Sequence, residues 1–107
     1  MNILGWNREF ALEQTAGDID LLQELLDLFK ISFENDVAKM EAGINCGNAL
    51  QVTNAAHSIK GAAATLGIEG VTMLAKQIEQ DARSGRVELA KELLPKLQQM
   101  QQELKEL

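Results

Sequence analysis

Apolar residues recur along the chain at steps of three and four, in one short stretch and four long ones, and no stretch of β-branched residues alternates with polar ones as a strand would show. Leu22, Leu25, Leu26, Phe29, Phe33, Val37, Met40 and Ile44 keep one face of a helix apolar from Asp18 to the break at Gly43–Gly47. Asp18 can accept hydrogen bonds from the free N–H groups of the first turn, and Asp20 adds negative charge where the helix dipole favours it. Asn48 is placed to cap the next helix, with Gln51 in a capping-box arrangement; that helix runs to Leu66, where Gly67 and apolar Ile68 predict a left-handed stop. A third helix carries Val71, Leu74, Ala75, Ile78 and Ala82 on one face and ends near Ser84-Gly85. The last carries Val87, Ala90, Leu93, Leu94, Leu97, Met100 and Leu104, and Pro95 predicts a kink or a fresh start around Leu94. Ahead of these, Ile3–Gln14 has a small apolar set (Leu4, Trp6, Phe10) closed by Gly17, which predicts a short helix or lid. The fold expected is all-α: an antiparallel four-helix bundle over 18–107, preceded by a short helix within 1–17, in one domain.

Composition narrows what such a bundle does. The 107 residues suffice for one core, and a net charge of −6 is unsuited to a phosphate backbone, so no nucleic-acid partner is expected. One Cys (Cys46) leaves no internal disulfide, and one His leaves no second imidazole for a metal site of ordinary spacing. No apolar run approaches the roughly 20 residues that span a bilayer, and the first residues do not resemble a secretion signal, so the expectation is a cytoplasmic protein without membrane contact. Any imidazole chemistry must pass through His57.

The helix phase shows where that residue points. With Val52 at zero and about 100° per residue, Ala56, Ile59, Ala63 and Leu66 fall within roughly 40°, whereas Lys60 lies near 80°, Ala64 near 120°, His57 near 140° and Gly61 near 180°. His57, Lys60, Gly61 and Ala64 therefore share an outward strip at i, i+3, i+4 and i+7. Gly61 costs about 1 kcal/mol in a helix relative to Ala, yet Ala62, Ala63 and Ala64 follow it, so small size alone does not explain it. A bare backbone beside the ring lets another protein's surface approach the imidazole, and Lys60 supplies a cation for an anion carried there.

The run Ala56-His57-Ser58-Ile59-Lys60-Gly61-Ala62-Ala63-Ala64-Thr65-Leu66-Gly67 resembles the signature of histidine-containing phosphotransfer (HPt) domains. Upstream, Gly17-Asp18 through Leu28-Phe29 is similar to that family's first long helix; downstream, Leu74 to Glu79 resembles its third. The resemblance implies a bundle that takes a phosphoryl group from an aspartyl phosphate on one receiver domain and passes it to another. It implies His57 as phosphoacceptor, Lys60 holding phosphoryl oxygens, and Gly61 as the opening for the receiver. By the same resemblance Glu79 falls where the family places a polar residue of the neighbouring helix beside the His; it could accept from Nδ1–H and leave Nε2 free, or be a solvated helix residue. Phe10, Leu12, Ala64 and Ile68 are candidates for the docking surface, although core packing is the ordinary reading of Ile68.

The partners implied are response-regulator receiver domains and a hybrid sensor histidine kinase, with the chain itself a monomer. No cofactor is expected, Mg²⁺ belonging to the receiver, and the chain would be a phosphocarrier without ATP-dependent kinase activity. Two alternatives stand beside this reading. A histidine-kinase phosphoacceptor module usually has an acidic residue directly after the His, where this chain has Ser58. A helical scaffold with an incidental His would not need Lys60 and Gly61.

Overall fold

The computed structural model describes residues 3–107, so Met1 and Asn2 of the expected 1–17 segment lie outside the described residues. Five helices follow in order: α1 (Arg8–Gln14), α2 (Ile19–Asn45), α3 (Ala49–Thr65), α4 (Glu69–Arg83) and α5 (Glu88–Leu104). Loops of three or four residues join α2 to α5, too short for anything but antiparallel neighbours. α3 packs on α2 and on α4, and α5 packs on α4 and back on α2, closing an up-down-up-down bundle with α1 resting on α2. At 1.5 Å per residue α2 spans about 40 Å, and it sets the 42 Å long dimension of the molecule.

Local chemistry accounts for most boundaries. The Asp18 carboxylate accepts from Leu21 N–H, and the Asn48 amide oxygen accepts from Gln51 N–H. The capping box expected at Asn48 is only half formed, because the Gln51 amide donates instead to the Lys39 carbonyl on α2, 2.8 Å away. Gly67 adopts φ +69° and Ile68 N–H reaches back to the Ala63 carbonyl, which stops α3 as expected. Of the two outcomes expected at Pro95, the fresh start does not occur: α5 runs through it as one helix and no new helix begins at Leu94. Pro95 and Lys91 both lie on the exposed side of α5, so water can serve the Lys91 carbonyl that has lost its N–H donor.

Residues 3–7 are not helical as the Ile3–Gln14 reading supposed; the helix there starts at Arg8. They run instead along the α3–α4 turn. Asn7 N–H donates to the Gly67 carbonyl, Glu69 N–H to Gly5 and Gly70 N–H to Leu4, while Trp6 forms an antiparallel bridge with Ile68. The Trp6 indole N–H donates to the Leu66 carbonyl at 3.0 Å, satisfying one of the open carbonyls at the end of α3. Backbone approach is close enough at Gly70 that a Cβ would sit 2.3 Å from the Ile3 carbonyl oxygen. The core is drawn from the predicted faces, including Leu22, Phe29, Phe33 and Met40 of α2, Val52 and Ile59 of α3, Ile78 of α4 and Leu97 of α5.

Candidate functional site

Val52, Ala56, Ile59 and Ala63 turn α3 inward, and the same rotation carries His57, Gly61 and Ala64 to the surface. The His57 side chain is 64% exposed, whereas Glu79, one helix away on α4, is 2% exposed directly beneath it. Glu79 gets there by register: it lies four residues after Ala75 and three before Ala82, both buried on the inner face of α4.

A charged carboxylate that deep requires partners, and Glu79 has three. Its Oε2 accepts from His57 Nδ1 at 2.7 Å and from Arg83 Nη2 at 2.8 Å, and its Oε1 accepts from Lys60 Nζ at 2.5 Å. Burial pushes the Glu79 carboxyl up, but the hydrogen bonds from Lys60 and His57, with the charges of Arg83 and Lys60, outweigh it and hold the group below the usual carboxylate range. Glu79 is therefore an ionised acceptor at neutral pH. An ionised carboxylate cannot donate, so the proton of the neutral ring resides on Nδ1 and the lone pair on Nε2.

Lys60, assigned by resemblance to phosphoryl oxygens, is engaged here with Glu79 and is 29% exposed. Gly61, four residues from His57, has open space where a Cβ would stand. Two features were not foreseen. Arg83 belongs to the cluster, and its position four residues after Glu79 was a usable signal. The residue after the histidine, Ser58, donates to the carboxylate of Asp36 on α2 at 2.7 Å, and Asp36 is buried. That bond ties α2 to α3 next to His57. Arg86 pairs with Asp81 instead and does not join the cluster.

Of the four docking candidates, Phe10 and Ala64 are exposed and line one shallow hollow with Gly67, Glu69, Thr72 and Met73. Leu12 is half-buried against the core. Ile68 is fully buried and cannot belong to an accessible surface: the bridge with Trp6 and the first residues cover it. On the other flank of α3 a second apolar hollow is lined by Leu25, Leu28, Phe29, Ala62 and Leu66. Among the described residues no helix is long and apolar enough to cross a membrane, and no three His, Cys, Asp or Glu side chains gather as metal ligands would.

Residues 24–107 match a family model described as the Hpt domain. The chain is also similar in structure to the HPT domain from the Hpt sensor hybrid histidine kinase from Shewanella, with a TM-score of 0.80 at 22% identity, over 98% of this chain and 94% of that one. At that identity the likeness speaks for the fold. No curated protein matches the chain.

Proposed function

The chain belongs to the Hpt domain family, which serves as the phosphotransfer module of two-component phosphorelays in partnership with receiver domains and histidine kinases, and from that premise we propose that His57 is its phosphoacceptor. The observation that carries this reading is the exposed ring, held at Nδ1 by the buried Glu79 carboxylate with the Nε2 lone pair left free. In the neutral ring the Nε2 lone pair is already free to attack, so no general base is needed. Nε2 attacks the phosphorus of an aspartyl phosphate, and the carboxylate leaves with the electron pair of the broken P–O bond.

Phosphoryl transfer of this kind has a loose transition state, so positioning and charge neutralisation dominate. Glu79 positions the ring. Lys60, at the edge of the cluster, supplies positive charge to the phosphoryl oxygens, and Gly61 leaves room for the receiver. The receiver brings the aspartate and Mg²⁺; this chain contributes a nucleophile and a docking face, formed by Phe10, Ala64 and the half-buried Leu12. The reading includes a monomer acting in the cytoplasm, without a cofactor of its own. Its net charge of −6 disfavours nucleic acid and makes docking depend on a complementary receiver face.

The test is incubation with a panel of phosphorylated receiver domains, with label followed onto this chain. Acid-labile, base-stable label is expected on the wild type and none on His57→Gln of equal helical content. A His57→Gln protein that still takes up label, or labelling of the wild type by ATP alone, would overturn the assignment.

A further inference from the structure

The shared carboxylate under His57 bears on the lifetime of the phosphorylated state as well as its formation. When Nε2 attacks phosphorus the ring becomes cationic, because Nδ1 already carries a proton. It either keeps that proton or sheds it to solvent. The choice decides how the P–N bond later breaks: if Nδ1–H is retained, the electron pair returns to Nε2 and a neutral imidazole departs. If the proton has been lost, the departing group is an imidazolate, a far poorer leaving group.

Glu79 is placed to settle this choice. Its Oε2 lies 2.7 Å from Nδ1, and the carboxylate itself is 2% exposed. An opposite charge at that distance, in a partly desolvated site, favours the protonated ring. The other charged groups on the carboxylate are Lys60 of α3, on Oε1, and Arg83 of α4, on the same Oε2 as His57. Across the interface with α2 the buried Asp36 is turned to Ser58. Lys60 and Arg83 both draw on the carboxylate and moderate its effect, Arg83 on the same oxygen that serves the ring. A neutral amide at position 79 could accept the same hydrogen bond but would bring no charge.

We propose, building on the assignment of His57 as phosphoacceptor, that Glu79 holds the Nδ1 proton on phosphorylated His57, so that the phosphoryl group enters and leaves without a proton leaving the ring and the carrier releases its cargo readily. On release to a receiver, the P–Nε2 bond breaks, its pair returns to Nε2, and an aspartate oxygen bonds to phosphorus. On release to water, the water oxygen bonds to phosphorus and its proton goes to solvent. Glu79 is a positioning residue in this scheme, with Lys60 and Arg83 moderating its strength.

The experiment loads the purified domain with phosphoramidate, a small P–N phosphoryl donor, removes the excess and follows the phosphohistidine by ³¹P NMR and by loss of label across pH. For Glu79→Gln the midpoint at which the ³¹P resonance titrates with the ring should fall, and above that midpoint loss of phosphoryl should slow about tenfold per unit of fall. The two proteins should converge in acid, where both rings are protonated. Arg83→Gln, at an exposed position, should shift the midpoint upward and shorten the lifetime; it serves as the decisive variant if Glu79→Gln does not fold. Equal midpoints in wild type and variants, or a lifetime ratio that is the same at every pH, would overturn the proposal while leaving His57 as acceptor. Absence of any label on the wild type would instead remove the assignment on which the proposal rests.

Discussion

Replacing Gly61 by alanine should make the protein more stable and a poorer phosphoacceptor. Gly61 lies inside α3, its φ is not among the positive ones, and a Cβ built there meets no atom within 4 Å. No strain or clash opposes the substitution, so the gain is the helix propensity difference of about 1 kcal/mol. For a domain near this size that corresponds to a rise of roughly 4–8 °C in Tm. The same methyl group stands one turn from His57 on the exposed strip, where a receiver must approach. Gly61→Arg extends the series: arginine has nearly the helix propensity of alanine, so stability should stay above wild type while transfer falls much further. Gly61→Gln controls for the added charge. Denaturant unfolding gives the first quantity, and the initial rate of label transfer from a phosphorylated receiver gives the second. An alanine variant no more stable than wild type would refute the open-space argument, and an arginine variant that accepts phosphoryl at the wild-type rate would refute the need for bare backbone.

Ile68→Ala should cost about 2–5 kcal/mol in unfolding free energy, as for other fully buried aliphatic truncations, and leave transfer by the folded fraction unchanged; a selective transfer defect would return Ile68 to the docking surface. Glu79 has a folded pKa below its unfolded value, so its contribution to stability is full above the unfolded carboxylate range and disappears as pH falls through the folded pKa. Unfolding free energies of Glu79→Gln and wild type, measured from neutral pH down to acid, should therefore converge at the acid end, and a constant gap would contradict this. Asp36→Asn should weaken the tie between α2 and α3 by about 1–2 kcal/mol, read by chemical denaturation, because a charge-assisted bond to Ser58 becomes a neutral one. Pro95→Ala should stabilise α5 by restoring an N–H donor for Lys91, and an unchanged or lower Tm would show that the helix depends on the ring there.

Helix count, caps and the outward direction of His57 were legible because each depends on spacing within one element. The depth of Glu79 was half legible. Its phase with Ala75 and Ala82 places it inward, but a carboxylate on an apolar face reads equally as a solvated residue until the cations are located. Lys60 comes from the neighbouring helix, and its reach depends on how α3 and α4 slide against each other, which no single-helix pattern encodes. Asp36 is the same case: three residues after Phe33 and four before Met40 it lies on the apolar face of α2, while its partner Ser58 is twenty-two positions away. The error at Ile68 arose from pairing that spans the chain. Residues 3–7 lie in an extended path along the α3–α4 turn, held mostly by backbone groups, and backbone hydrogen bonds leave no mark on side-chain periodicity.

The contact between Trp6 and the end of α3 also gives the protein an optical gauge. Trp6 is the only tryptophan and there is no tyrosine, so ultraviolet emission excited at the red edge arises from one indole, whose N–H is bound to the Leu66 carbonyl. That carbonyl closes the helix that presents His57. A receiver pressing on the turn, or a solvent change that loosens the first residues from it, would alter the polarity around a single fluorophore with no second emitter to average it away. Events at the phosphoacceptor helix can thus be timed in the unlabelled protein by stopped-flow, provided the receiver used carries no tryptophan of its own.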